Sequence, residues 1–326
     1  MPEIMLGGIE GQNPHGFMAA VGLLNLLTIS QEEGLGEARL SWRRDGYWRP
    51  VFHTAQEIDK AGLVVAVLRA IANAGAPYRM GEEQLQANVR WNPERKDGKK
   101  NGYSNEEYKA IQERAVRGLH DPENSRVARA RADFAAAIAR PHPDEGPHRS
   151  NFALNDGASH QNFLGVMEGL HTLVREGNPK EISRLIEETL FEPWRYGDQK
   201  MSFRWGPQEN RKSAYIGRLT EGARTMHGAN LLGIYALPLL PSFVVGRGST
   251  TTRLFRDHNH LRWPIWTPPL GAEVLQTVFG LPVLYQAEPP RQTLLNMGIR
   301  EVFEAQRIGV TDKLFGLSQA EALLAD

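Results

Sequence analysis

The sequence predicts an α+β fold: mixed sheet regions around a buried N-terminal helix, with a mid-chain helical, bundle-like insertion. Three observations predict it. Behind Asn13-Pro14 the apolar residues of 17–27 point in nearly every direction of a helical wheel, as in a helix covered on all faces. Four consecutive helical periodicities follow between residues 104 and 191. Beyond Pro193 the texture changes to short apolar runs punctuated by Gly and Pro, which reads as strands and turns.

Taken in order, Asn13 is an N-cap and Pro14 a helix-compatible first residue, so the first helix should run to about Ser30. Residues 38–54 read as a β-hairpin turning at Asp45-Gly46. Helix returns over 57–74 and again over 104–118, 123–139, 159–176 and 180–191. In the last two, Phe163, Val166, Met167, Leu170 and Val174, and then Ile182, Leu185, Ile186 and Leu190, form single apolar stripes. Arg140 to Ser150, rich in Pro and His, is the expected linker. Strands are expected near 201–205, 242–246, 250–256, 262–266 and 282–286, with helices near 226–237 and after 271 and 291. The domain organisation that follows is 1–103, an α/β region with a basic loop; 104–192, helical; and 193–326, mixed α/β.

With 326 residues, 41% hydrophobic and 23% charged, the chain can bury a substantial core and lacks the signature of disorder. It has no cysteine, which removes disulfide frameworks, thiol catalysis and Cys-type metal sites. The apolar run 231–245 is too short for a bilayer and is broken by Pro238 and Pro241. No Lys or Arg precedes the apolar stretch 17–27, so it is no secretory signal, and a cytoplasmic protein without membrane contact is expected.

Net charge is zero but unevenly spread: residues 90–131 carry +4 and residues 195–262 carry +7. Such blocks can form one positive surface for phosphate backbones. In the aperiodic stretch 90–103, Arg95, Lys96, Lys99 and Lys100 are candidate phosphate contacts, with Asn92 and Asn101 as readers of base edges. In the second block Arg204, Arg211, Lys212 and Arg218 interleave with aromatic residues, a footprint of nucleic-acid binding and equally of half-buried strands. Arg247, Arg253 and Arg256 complete a phosphate-clamp set, and Arg43 and Arg44 lie beside the hairpin turn.

Catalytic signatures are scarce. The 246–250 segment lacks the Gly-Lys-Ser/Thr ending of a phosphate loop, and the glycines of 7–11 lack dinucleotide spacing. There is no nucleophile elbow and no His-Glu-x-x-His. Asp257-His258-Asn259-His260 is the exception: on a strand, His at i and i+2 share a face and could share a metal, which would make the chain a small metal-dependent nuclease. A protein-only adaptor, its basic blocks meeting acidic partners, is a third class. The residues favour binding without a cofactor, a resident metal or a catalytic group.

Four stretches together resemble one family. Gly11, Asn13, Pro14, Gly16 and Phe17 within 8–24 resemble the opening signature of effector proteins from type I CRISPR systems, most nearly subtype I-G, formerly I-U. Phe203 to Arg211 with Ala214-Tyr215, Gly228 to Leu232 leading to Pro241, and Leu261 to Trp266 with Pro269-Leu270 are similar to three later motifs of that family, in the same order. The second motif departs in having Gly206 and Asn210 where the family carries acidic residues. The resemblance implies a non-catalytic large subunit of a Cascade surveillance complex. Its implied partners are the CRISPR guide RNA, target double-stranded DNA, the backbone and handle-binding Cascade subunits and the helicase-nuclease. The implied job is antiviral defence: inspecting the motif that flanks the target (PAM recognition), steadying the displaced strand and recruiting the nuclease. Guide pairing would carry the sequence, leaving the protein a few groove contacts and phosphate clamps.

Overall fold

The computed structural model describes residues 1–30, 35–74, 79–80, 83–84, 105–120, 125–140, 147–154, 163–209, 224–245, 249–311 and 314–324. The fold is α+β, with helices and several small sheets around one hydrophobic core that draws on residues from Leu6 to Leu324.

Strand β1 (Glu3–Met5) leads into α1 (Pro14–Ser30). The start of α1 follows the cap chemistry: Asn13 Oδ1 accepts from the His15 backbone N–H at 3.0 Å, and the Phe17 N–H closes the first turn on the Asn13 carbonyl at 2.8 Å. Residues 14–26 of this helix are all buried, which explains its all-round apolar pattern. It becomes the central rod of the molecule. Its closest neighbour is α7 (His227–Ile234), and the two backbones meet at Gly22, where a Cβ would lie 1.9 Å from the Leu232 carbonyl oxygen. Asn25 tightens the same crossing by donating to the Tyr235 carbonyl at 2.8 Å.

The hairpin is β2 (Arg39–Asp45) and β3 (Tyr47–His53), turning at Gly46 with φ +65°. With β1 it forms an antiparallel sheet of order β1-β3-β2 in which Arg43 faces Arg49 and Arg44 faces Trp48. Helix α2 (Lys60–Ala74) packs on α1, and one short pair follows, β4 (Arg79–Met80) with β5 (Glu83–Gln84). The mid-chain helices are α3 (Asn105–Arg117), α4 (Ser125–Ala137), α5 (Phe163–Glu176) and α6 (Pro179–Phe191). They attach to the core in pairs: α3 packs on α4, which reaches α1, while α5 and α6 both pack on α7. Between the pairs, β6 (Ala139–Arg140) and β7 (His148–Arg149) form a small ladder inside the expected linker.

Beyond β8 (Asp198–Gln199) and β9 (Arg224–Thr225), strands β10 (Ser242–Val245) and β11 (Ser249–Thr252) pair with each other. The second main sheet is built on β12 (His260–Trp266) and β13 (Ile299–Thr311), with β14 (Leu314–Leu317) and β15 (Glu321–Ala322) along β13. All strand pairings among the described residues are antiparallel. Helices α8 (Ala272–Phe279) and α9 (Arg291–Asn296) lie between β12 and β13. Trp42 of the first sheet and Trp263 and Trp266 of the second meet Phe17 of α1 and Phe279 of α8 with ring centroids 5.9–6.3 Å apart, and this aromatic cluster joins the two sheets through the helix.

Two expected strands are something else. Residues 201–205 form no strand, because Met201 and Arg204 take left-handed φ values of 44° and 62°; the turn still buries Phe203 and Trp205, stacked at 4.4 Å. Pro282 opens a 3-10 turn over Pro282–Tyr285, since it lacks the N–H a ladder requires. The Asp257–His260 stretch is largely a turn, with only His260 entering β12. Strand β13 has no counterpart in the sequence reading. Among the described residues no helix is long and apolar enough to cross a membrane.

Candidate nucleic-acid interface

The described parts of the four quoted stretches pack on one another around α1. Trp263 Nε1 donates to the Gly11 carbonyl at 2.8 Å, joining the last stretch to the first. Asn13 Nδ2 donates to the Tyr196 hydroxyl at 2.9 Å, and the hydroxyl donates on to Gln208 at 3.0 Å. His15 Nδ1 lies 3.0 Å from Glu209 Oε1, both side chains being 0% exposed, and the imidazole sits edge-on to Trp194 and Trp205. Glu209 also accepts from the Ser202 hydroxyl and, at 3.0 Å, from the Arg204 backbone N–H. Burial pushes the Glu209 carboxyl up, but His15, Ser202 and Thr225 outweigh that and hold it below the usual range. These residues are interior supports, and surface chemistry has to come from elsewhere. Because Asn13 serves both the cap and Tyr196, Asn13→Ala should cost about 1–2 kcal/mol, read as a lowered denaturant midpoint at unchanged slope.

Surface cations gather along β2. A groove of about 490 Å³ runs beside it and is lined by Arg43, Arg44, Trp48, His53, Pro269 and Arg300, among others. Arg43 and Arg44 are exposed by the hairpin turn, and Arg300 enters from the start of β13, where its Nε reaches Thr267 Oγ1 at 3.3 Å. Glu3 pairs with Arg43 across exposed surface, a contact of little net energy that salt weakens. His53 is buried against Ser41 Oγ at 2.8 Å; burial lowers its basicity, the Arg43 charge adds to this, and Glu3 opposes it. Three guanidiniums with a half-buried indole in one groove can hold phosphates and stack a base. Arg300 escaped sequence reading because nothing local connects it to Arg43 and Arg44; only the fold of β13 brings it there.

Other predicted residues are placed differently. The Arg253 guanidinium lies 4.8 Å over the Phe243 ring. Arg256 lies 3.5 Å from Glu304 and 3.6 Å from Asp257, so a phosphate there competes with two carboxylates. Glu304 also holds the buried Arg262 at 2.6 Å. Arg204 is half-buried in its left-handed turn. Asn92, Arg95, Lys96, Lys99, Lys100, Asn101, Arg211, Lys212, Arg218 and Arg247 lie outside the described residues.

The Asp257–His260 turn does not assemble a metal centre. Asp257 Oδ1 accepts from the backbone N–H groups of Asn259 and His260 at 2.7 and 2.9 Å, and the carboxylate also faces the His260 ring. His258 leaves that cluster and meets a cation, Arg140, at 2.9 Å. The shared-face geometry expected of a strand fails because these residues turn. Among the described residues no group of three or more His, Asp or Glu is arranged to hold a metal ion.

Comparison of the chain with models of protein families, with curated proteins and with solved structures gives no match.

Proposed function

We propose that the chain is a nucleic-acid-binding, non-catalytic large subunit of a type I CRISPR surveillance complex, one that binds target DNA, reads the flanking motif and helps recruit the helicase-nuclease. The observation that carries the reading is the β2 groove, which Arg43, Arg44 and Arg300 line together with the Trp48 indole. Guanidiniums bind phosphates bidentately and the indole offers a stacking face, so the groove suits a backbone passing over it with one base turned inward. The packing of the four family-like stretches on α1 adds support, since stretches that build one core travel together in a sequence. Zero net charge fits a subunit that binds nucleic acid firmly only inside its complex.

The test has two parts. Co-expression of the tagged chain with its genomic neighbours and a repeat array should co-purify other subunits and a discrete RNA; a chain that elutes alone and RNA-free overturns the reading. Within the assembled complex, Arg44→Ala with Arg300→Ala should weaken binding of a target duplex and lower the slope of log K against log salt by about one to two. An unchanged slope would remove the β2 groove from the interface. Assembly without any RNA, insensitive to nuclease, would favour the protein-only adaptor.

A further inference from the structure

The β2 groove contains a group of the wrong sign for a phosphate. Glu3 is the one carboxylate among the described residues that line it, and it stands there with Arg43, Arg44 and Arg300. The sheet puts it in that place. Strands β1 and β3 pair Glu3 directly with His53, so the two side chains share a face, and the register of β3 with β2 brings Ser41 and Arg43 to the same face. Arg43 reaches over β3: its Nη2 donates to Glu3 Oε2 at 2.5 Å, while Glu3 Oε1 lies 3.6 Å from His53 Nδ1. The other ring nitrogen of His53 is taken by Ser41 Oγ at 2.8 Å.

A carboxylate in this position does for Arg43 what a phosphate would do. It presents an anionic oxygen to a guanidinium, the same charge-assisted bond, and so satisfies that cation before any ligand arrives. The hydrogen bond from Arg43 holds the Glu3 carboxyl below its usual 4.5, so it is ionised at neutral pH. The other two cations of the groove are placed differently: Arg44 projects by the hairpin turn, and Arg300 Nε reaches a hydroxyl, that of Thr267. The fold itself gains little from the pair, because the Arg43 side chain is 56% exposed and that of Glu3 42% exposed, and such ion pairs contribute little net stability. For the same reason the carboxylate can swing into solvent at little cost. A contact worth little to the fold but set on a binding cation acts on binding.

We propose that Glu3 is a competitor built into the β2 groove, occupying Arg43 until a nucleic-acid phosphate displaces it. The inference rests on the reading of the groove as a nucleic-acid interface and adds its regulation: a strand held in place by the assembled complex displaces Glu3, whereas a stray strand meets a groove with one cation already taken. The test is fluorescence anisotropy of a labelled single-stranded DNA titrated with the full chain at several salt concentrations. Glu3→Gln keeps the size and polarity of the side chain and should bind about two- to fivefold more tightly than the wild type, the range an exposed ion pair spans. Its log K should fall more steeply with log salt by about 0.7, one added phosphate contact to a single strand. Loss of any negative charge favours a polyanion, so Glu188→Gln is the control; Glu188 is likewise half-exposed and paired with an arginine, Arg184 at 3.0 Å, but lies on α6 outside the groove. Equal gains in Glu3→Gln and Glu188→Gln would assign the effect to net charge and overturn the proposal. In an Arg43→Gln background the gain from Glu3→Gln should shrink to that of the control, and an undiminished gain also overturns it. So does a Glu3→Gln protein that binds no more tightly than the wild type. In that event Arg44→Ala with Arg300→Ala separates the two readings: weakened binding leaves the groove standing without its competitor, and unchanged binding removes the groove as well.

Discussion

Gly22→Ala should prevent the chain from reaching its native fold. The added Cβ would lie 1.9 Å from the Leu232 carbonyl oxygen, 2.7 Å from its carbon and 3.1 Å from the Ala236 nitrogen, all backbone atoms that cannot rotate aside. Relief requires α1 and α7 to separate, and both helices are buried along their length, so separation opens cavities on every side. Overpacking in a core ordinarily costs about 1–3 kcal/mol, and a clash between two backbones lies at or beyond the top of that range. Because alanine is the better helix former by about 1 kcal/mol, any loss runs against local propensity and reports tertiary packing alone. Soluble yield and the thermal midpoint check this. Gly197→Ala is the control, since its Cβ would meet nothing within 4 Å, and it should behave as wild type. A Gly22→Ala protein that melts with the wild type would mean that α1 and α7 do not cross at this distance.

Glu209→Gln should be the next most damaging change. The carboxylate is fully buried with His15 and accepts from Ser202 and the Arg204 backbone, so replacing it unpairs several donors at once. Leaving a buried donor without its partner costs about 1–3 kcal/mol, and more where the lost acceptor was charged. For a chain of this length the upper end of that range is a fall of about 5 °C in the thermal midpoint. The pH dependence has a definite sign. The folded carboxyl is held below its ordinary value of 4.5, so its stabilisation is fully present above that pH and fades as pH falls through the folded value. Denaturant midpoints measured across the acid range should therefore fall more steeply for the wild type than for Glu209→Gln. Parallel acid limbs would show that Glu209 titrates alike in the folded and unfolded protein.

What the sequence made legible is what local chemistry decides. Asn13-Pro14 sets the start of α1 through a cap and a fixed φ, and Asp45-Gly46 sets the hairpin because Gly46 can take φ +65°. The turn at 201–205 was opaque for the opposite reason. Phe203 and Trp205 alternate like strand residues, yet they are buried by a left-handed turn in which Glu209 accepts from the Arg204 N–H, and Glu209 owes its place to His15 on another element. The same limit applies to function. Arg43 and Arg44 could be found as neighbours in sequence, whereas Arg300 joins them only through long-range packing of β13. The i, i+2 rule for sharing a face holds on a strand, and because the Asp257–His260 residues turn, His258 meets Arg140 while His260 meets Asp257.

The all-round burial of α1 also has a consequence for biosynthesis. The groups that cover the helix, Leu232 and Trp263 among them, are translated long after it. At about 5–20 residues per second, its apolar surface stays uncovered for roughly 10–50 s in every round of translation. Yield in the cell should therefore follow the supply of factors that shield nascent apolar segments more closely than it follows the stability of the finished protein.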